Sequence, residues 1–242
     1  MGATLLIVTG ASSGLGLALA RTHPFADARV IDVSRRGGSG FEHLRADLAT
    51  AEGWRAATEL FEREVAGFAG ERVVFVHAAG TLDPIGFAGE VDPAAYRRQV
   101  LLNGAAPQIL GDAFLRAAGR TRAPCLVVMI SSGAARSVYP GWSAYCAGKA
   151  ALDQWVRTAG AEQRLRGDRV RLLAVAPGVV ATAMQEQIRR TPERDFPEVR
   201  RFVELHERGG LRSPEEAARG VWKLVGGGFE NGAVVDLREI GV

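Results

Sequence analysis

Short apolar runs recur along this chain and alternate with longer stretches whose apolar positions return every three or four residues. Leu5-Leu6-Ile7-Val8, Val73-Val74-Phe75-Val76, Cys125 to Ile130 and Val170 to Ala176 are the clearest runs. Uninterrupted runs of this length predict strands buried on both faces, the pattern of a parallel sheet covered by helices. Arg29 to Ser34 and Gly232 to Leu237 read as further strands, and Leu44-Arg45-Ala46 with Asp47-Leu48 as a weak one. Between the strands, Glu52 to Ala66 gathers Trp54, Ala57, Leu60, Phe61 and Val65 on one helical face. Leu15, Leu17, Leu19 and Ala20 mark a helix after the first strand. A long helix, with room for a break, runs from Asp92-Pro93 through Asn103 to Ala118, and another from Tyr145 to about Arg166. Ser213-Pro214-Glu215-Glu216 supplies an N-cap and a proline at the first position of a last helix, which Gly226-Gly227-Gly228 ends.

Strand alternating with helix predicts an α/β chain: a single-domain, Rossmann-like doubly wound parallel sheet of about seven strands flanked by helices. No repeat, linker or second hydrophobic unit interrupts residues 1–242, so one domain is expected. Gln185 to Gly210, a polar and mixed stretch after the sixth strand, reads as a loop-rich insert. Such inserts at strand ends carry function, and a substrate lid over about 181–212 is expected here.

The first strand runs into Thr9-Gly10-Ala11-Ser12-Ser13-Gly14-Leu15-Gly16 and then into a helix. Glycines in that context let backbone approach a pyrophosphate, while the helix N-terminus supplies N–H groups and partial positive charge. At the end of the second strand two readings compete. Asp32 as a ribose ligand would select NAD; Ser34 followed by Arg35 would leave room for, and grip, the 2′-phosphate of NADP. The strand continues past Asp32, which favours Arg35 and NADP, with Arg36 a weaker second contact. The Gly37-Gly38-Ser39-Gly40 loop follows. Asp47, beside Leu48, either reaches the adenine or caps a turn. His77-Ala78-Ala79-Gly80 ends the fourth strand in small residues that let backbone lie against a cofactor, and His77 itself reads as packed and hydrogen-bonded.

Tyr145 and Lys149 share one helical face, and Ser132 precedes Tyr145 by thirteen positions at the end of a buried strand. A phenol titrates at about 10 and a neighbouring cation favours its anion, so the pair reads as a poised proton donor. Asn103 stands among apolar residues on a packed helix, either as a structural link or as part of a proton path. Tyr139 and Trp142 either line a pocket or pack.

Composition narrows the classes. Hydrophobic residues make up 47% of the chain, ample for a core, and 30 basic against 27 acidic residues leave a net charge of +3. That balance points away from nucleic-acid partners. Cys125 and Cys146 have no metal spacing and read as reduced thiols. The first strand begins almost at once, leaving no signal-peptide pattern, and no apolar run approaches the roughly 18 residues of a membrane span. A soluble, cytoplasmic protein is expected.

Taken in order, these motifs resemble the classical short-chain dehydrogenase/reductase family over essentially the whole chain. Thr9 to Gly16 matches its T-G-x-x-x-G-x-G, and Ser132, Tyr145 and Lys149 match its serine and Y-x-x-x-K. Asn103 falls where its catalytic asparagine does. Pro177-Gly178, with Val180 and Thr182 following, matches the segment that holds the nicotinamide carboxamide. One departure exists: His77 begins the family's N-N-A-G, which puts that strand's hydrogen bonding in doubt. Gly141 to Ala151 resembles sepiapterin reductases and the related bacterial benzil reductases. The strand ending at Asp236 resembles theirs too, so Asp236 is implied as a pterin anchor, with a strand-end turn former the plain alternative.

The resemblance implies an NADPH-dependent reductase of a ketone or vicinal diketone, with Tyr145 as proton donor and Ser132 holding the carbonyl. Lys149 would lower the Tyr145 pKa and bind the ribose, and Asn103 would hold a relay water. Tyr139, Trp142 and Met184 would form the substrate slot. The partner is a small-molecule carbonyl compound, with no nucleic acid, membrane or metal. A homodimer is implied, with a tetramer open. The competing readings are an NAD-dependent alcohol dehydrogenase on the same fold and a non-catalytic NADP sensor.

Overall fold

The computed structural model describes residues 4–37 and 40–241; Gly38 and Ser39 of the glycine-rich loop lie outside the described residues. Seven strands form one parallel sheet: β1 (Thr4–Thr9), β2 (Ala28–Ser34), β3 (Glu42–Arg45), β4 (Arg72–His77), β5 (Cys125–Ile130), β6 (Val170–Ala176) and β7 (Ala233–Asp236). Their spatial order is β3-β2-β1-β4-β5-β6-β7. The order reverses between β1 and β4, which pair in register from Thr4 with Arg72 to Thr9 with His77. At such a switch point the connections leave in opposite directions and open a crevice beyond the carboxyl ends of the strands.

Helices cover both faces. On one, α2 (Ala51–Glu64), α4 (Ala106–Ala118) and α5 (Ser143–Leu165) bury Leu60, Phe61, Phe114, Leu152 and Val156 against Leu5, Phe75 and Leu172. On the other, α1 (Gly14–Arg21) and α8 (Pro214–Gly227) bury Leu19, Val221 and Trp222 against Leu6, Val74 and Val128. The capping box read at Ser213 is present: its hydroxyl accepts from Glu216 N at 3.2 Å, and the Glu216 carboxylate accepts from Ser213 N at 2.8 Å.

The long helix does break, at Asn103. α3 (Pro93–Val100) widens into one π turn (Leu101–Ala105) before α4. Pro107 has no N–H to close an α-helical bond onto Asn103, and Ala106 N reaches back five residues to Leu101 O instead. The expected loop-rich insert is a correction: it contains two helices, α6 (Ala183–Arg190) and α7 (Val199–Glu207). Their few apolar residues, Ile188, Val199 and Phe202, lack partners in sequence but pack on Trp142, Phe196 and Leu82 in a third cluster at the mouth of the crevice.

Candidate active site

A cleft of about 520 Å³ opens at the switch point, and most residues singled out from the sequence line it. The glycine turn, Arg35, Arg36, Asp47 and Leu48 form one end, and Ser132, Tyr139, Trp142, Tyr145 and Lys149 the other. Ala79, Gly80, Pro177, Gly178, Val180, Thr182 and Met184 lie between or above them. Gly16, Asn103 and Asp236 do not line it.

The turn after β1 fits a dinucleotide phosphate. Gly10 has φ +75°, and a Cβ there would sit 3.0 Å from Ala79 Cα; one on Gly16 would sit 2.3 Å from Gly10 O. Only glycine lets backbone approach this closely. Gly16 is therefore needed beneath the turn, where it faces no ligand. α1 starts directly after the turn, so its unpaired N–H groups face the cleft.

Asp32 is fully buried. Its Oδ1 accepts from Ala11 N at 3.1 Å and its Oδ2 from the Ser34 hydroxyl at 2.8 Å. Both oxygens thus brace the glycine turn and the strand end, and Arg35 and Arg36 face the cleft beyond them. Asp47 serves its turn, accepting from Ala49 N at 3.1 Å, and pairs with Arg98 at 2.6 Å while still lining the cleft.

At the other end α5 begins just before Tyr145, burying Tyr145 and Lys149 side by side. Burial pushes the Tyr145 phenol up to about 12, with a hydrogen bond to Ser132 pulling the other way. The expected depression by Lys149 is not found. Lys149 Nζ lies 5.8 Å from the Tyr145 ring centroid and donates to Ile130 O at 2.7 Å. Burial holds Lys149 down to about 8, opposed by the charge of Asp153 one turn along. The phenol is therefore protonated at neutral pH.

Asn103 resolves in favour of a structural link for its amide. Nδ2 donates to Thr81 O at 2.7 Å, and Oδ1 accepts from Thr81 N at 3.0 Å. The pair fixes the chain just after Gly80, behind the cleft wall. Gly148 lets the π turn press on α5, since a Cβ there would lie 2.9 Å from Asn103 Cβ.

His77 stands where the family has asparagine; its Nδ1 side is bonded to the strand end, while Nε2 is buried with no partner among the described residues. Thr9 Oγ1 accepts from Ala78 N and Ala79 N, at 3.1 and 3.2 Å, and lies 3.1 Å from His77 Nδ1. With both acceptor positions used, the hydroxyl donates to Nδ1, which makes the ring neutral with its proton on Nε2. Burial, with Lys149 nearby, holds His77 down to about 3.

Asp236 is a further correction. Its carboxylate is buried beneath Arg238, which grips it at 2.9 and 2.6 Å, and Arg136 approaches at 3.3 Å. Arg238, not Asp236, lines the cleft. The substrate end also includes residues the sequence did not single out. Phe202 of α7, and Ile188 and Gln185 of α6, join Tyr139, Trp142 and Met184 in the lining. Trp142 stacks on Phe196 with centroids 4.4 Å apart. The spacing of Val199, Phe202 and Val203 was the available signal for that helix.

A glycine turn that fits a dinucleotide phosphate, sharing one cleft with Ser132 and the buried Tyr145 and Lys149, is the arrangement of a dehydrogenase or reductase class. The profile of the short chain dehydrogenase family matches residues 4–193, and the chain belongs to that family. It is 36% identical to "Benzil reductase ((S)-benzoin forming)" of Bacillus subtilis (strain 168), over 97% of this chain and 98% of that protein. It is 30% identical to the sepiapterin reductase of Xenopus laevis, over 87% of this chain and 86% of that one. Among solved structures, the KRED1-Pglu enzyme superposes with a TM-score of 0.77 at 30% identity, over 96% of this chain and 100% of the other.

Proposed function

We propose that this chain is an NADPH-dependent carbonyl reductase that acts on a ketone or vicinal diketone, with Tyr145 as general acid. The observation that carries the reading is the buried, protonated phenol beside Ser132 and Lys149, in the same cleft as the glycine turn. When bound, NADPH supplies the hydride.

Around it, the residues act by position. Ser132 holds the carbonyl oxygen and Tyr145 gives that oxygen its proton. Lys149, anchored on Ile130 O, binds the nicotinamide ribose from its remaining N–H groups and restores the proton to Tyr145. Asn103 fixes the Gly80-Thr81 turn behind Lys149, where a held water would complete the relay. Pro177, Gly178, Val180 and Thr182 hold the carboxamide. α6 and α7 act as a lid whose Ile188 and Phe202 keep water from the reacting carbonyl.

Preference for NADPH is supported by Asp32, whose oxygens are both engaged inside the fold, and by Arg35 and Arg36 at the mouth of the cleft. The names of the relatives, benzil and sepiapterin reductases, support a dicarbonyl substrate. Among the described residues no helix is long and apolar enough to cross a membrane. A cytoplasmic homodimer pairing α4 and α5 belongs to the same proposal.

The test is oxidation of NADPH at 340 nm with benzil, 1-phenyl-1,2-propanedione and sepiapterin, repeated with NADH. Turnover with NADPH alone is expected. Turnover with NADH alone would transfer the assignment to an NAD enzyme. Tight NADPH binding without turnover of any carbonyl would revive the non-catalytic reading.

A further inference from the structure

Just past the end of β7 the chain carries Arg238 to the reaction end of the cleft. Its Nε and Nη2 pair with the two oxygens of Asp236, and its backbone N–H also donates to Oδ1 at 3.0 Å. This two-pronged pairing fixes the plane of the guanidinium. The Arg238 stem passes between two glycines. A Cβ on Gly178 would lie 3.4 Å from its Cγ, and one on Gly133 only 2.8 Å from its Nη2. Gly133 directly follows Ser132, so the guanidinium sits one residue from the serine that holds the carbonyl oxygen.

Four charged groups cluster here: Arg136, Asp236, Arg238 and Glu239, with Arg136 bridging Asp236 and Glu239. Of these, only Arg238 lines the cleft. Nη1 has no acceptor among the described residues, and half of the side chain is open to solvent. The carboxylate that would attract an amine is thus buried under a cation that would repel one.

Taking the chain as a carbonyl reductase, we propose that Arg238 is a substrate-binding residue and that the site prefers ketones carrying an adjacent carboxylate, the 2-oxo acids, over amine-bearing rings. A guanidinium is donor-only and always charged, and with Nε and Nη2 held by Asp236 its Nη1 edge remains to donate to a substrate carboxylate. A neutral vicinal diketone offers it one weaker acceptor and ranks between the two. The reaction is otherwise unchanged: the ketone carbon gains a hydride, its oxygen gains a proton, and the product is the 2-hydroxy acid.

Phenylglyoxylate, 1-phenyl-1,2-propanedione and acetophenone share a phenyl ketone and differ in the neighbouring group. In Arg238→Gln, kcat/KM for phenylglyoxylate relative to acetophenone should fall about tenfold, mostly through KM. Arg238→Lys should recover part of the loss, and added salt should lower the ratio in the unaltered protein. An unchanged ratio in Arg238→Gln overturns the proposal, as does a selective loss of sepiapterin turnover in Asp236→Asn. Calorimetric titration of phenylglyoxylate into the NADP-bound protein reads binding without turnover. Binding that weakens in Arg238→Gln upholds Arg238 even if no carbonyl is reduced, an outcome that would sink the reductase reading alone. Binding insensitive to Arg238, in a protein that reduces acetophenone, sinks this proposal alone.

Discussion

Two buried aspartates, one on each flank of the sheet, stand behind the same cleft and shape different parts of it. Asp32 on β2 accepts from Ala11 N and from the hydroxyl of Ser34, two residues on. Asp236 at the end of β7 holds the guanidinium of Arg238, also two residues on. Ser34 shares a face with Asp32 because they are two apart on the extended β2 strand. Arg238 instead lies in the turn after β7, where Glu239 N donates back to Asp236 O; by either route each acid fixes the group two residues on. Neither acid touches the cleft. At the β2 flank the result is a braced glycine turn with arginines beyond it; at the β7 flank it is a cation held in the lining. An acid at a strand end is thus as readily a support for its neighbour as a ligand.

The two ends of the cleft differ in burial as well. Arg35 and Arg36 stand in solvent at one end, whereas Tyr145, Lys149 and His77 are sealed at the other. The proposed proton chemistry falls at the sealed end, and the sharpest test of that division is Tyr145→Phe. It should lower kcat for ketone reduction by about 100-fold or more while NADPH binding, read by fluorescence, is retained. Substantial remaining turnover would remove the phenol from its assigned role.

Asp32→Ala tests the other end. It leaves Ala11 N–H unpaired in the core and should cost about 1–3 kcal/mol in chemical denaturation. It should leave the ratio of NADPH to NADH use as it was; a large swing toward either cofactor would make Asp32 a ligand after all. Arg35→Ala should do the reverse, raising KM for NADPH about tenfold with little effect on NADH or on stability.

The sealed end also bears on acid stability. His77 in the fold titrates at about 3 against an ordinary 6.5. The unfolded chain therefore takes up the proton first, and stability falls as pH drops below 6.5 toward 3. Each unit in that window costs about 1.4 kcal/mol. His77→Asn should flatten this part of the pH–stability curve; an unchanged slope would mean the ring is already charged in the fold.

Much of this protein is written locally. Buried apolar runs, helical periodicity and the capping box at Ser213 are properties of a few neighbouring residues. The sheet, its flanking helices and the places of Gly10, Ser132, Tyr145 and Lys149 could therefore be read from the chain alone. A break was expected somewhere between Asp92 and Ala118, but its place at Asn103, next to the missing N–H of Pro107, came only with the structure.

What the tertiary structure decided were pairings across the fold. The stretch holding α6 and α7 looked polar because its few apolar residues gain partners only on Trp142 and Phe196. Lys149 looked like a partner for Tyr145, yet its ammonium is claimed by Ile130 O from a neighbouring strand. Asp236 looked like an anchor until Gly133 and Gly178, far away in sequence, made room for Arg238 above it. Sequence spacing fixes which side chains share a face; which partner satisfies a buried charge depends on every element that meets it.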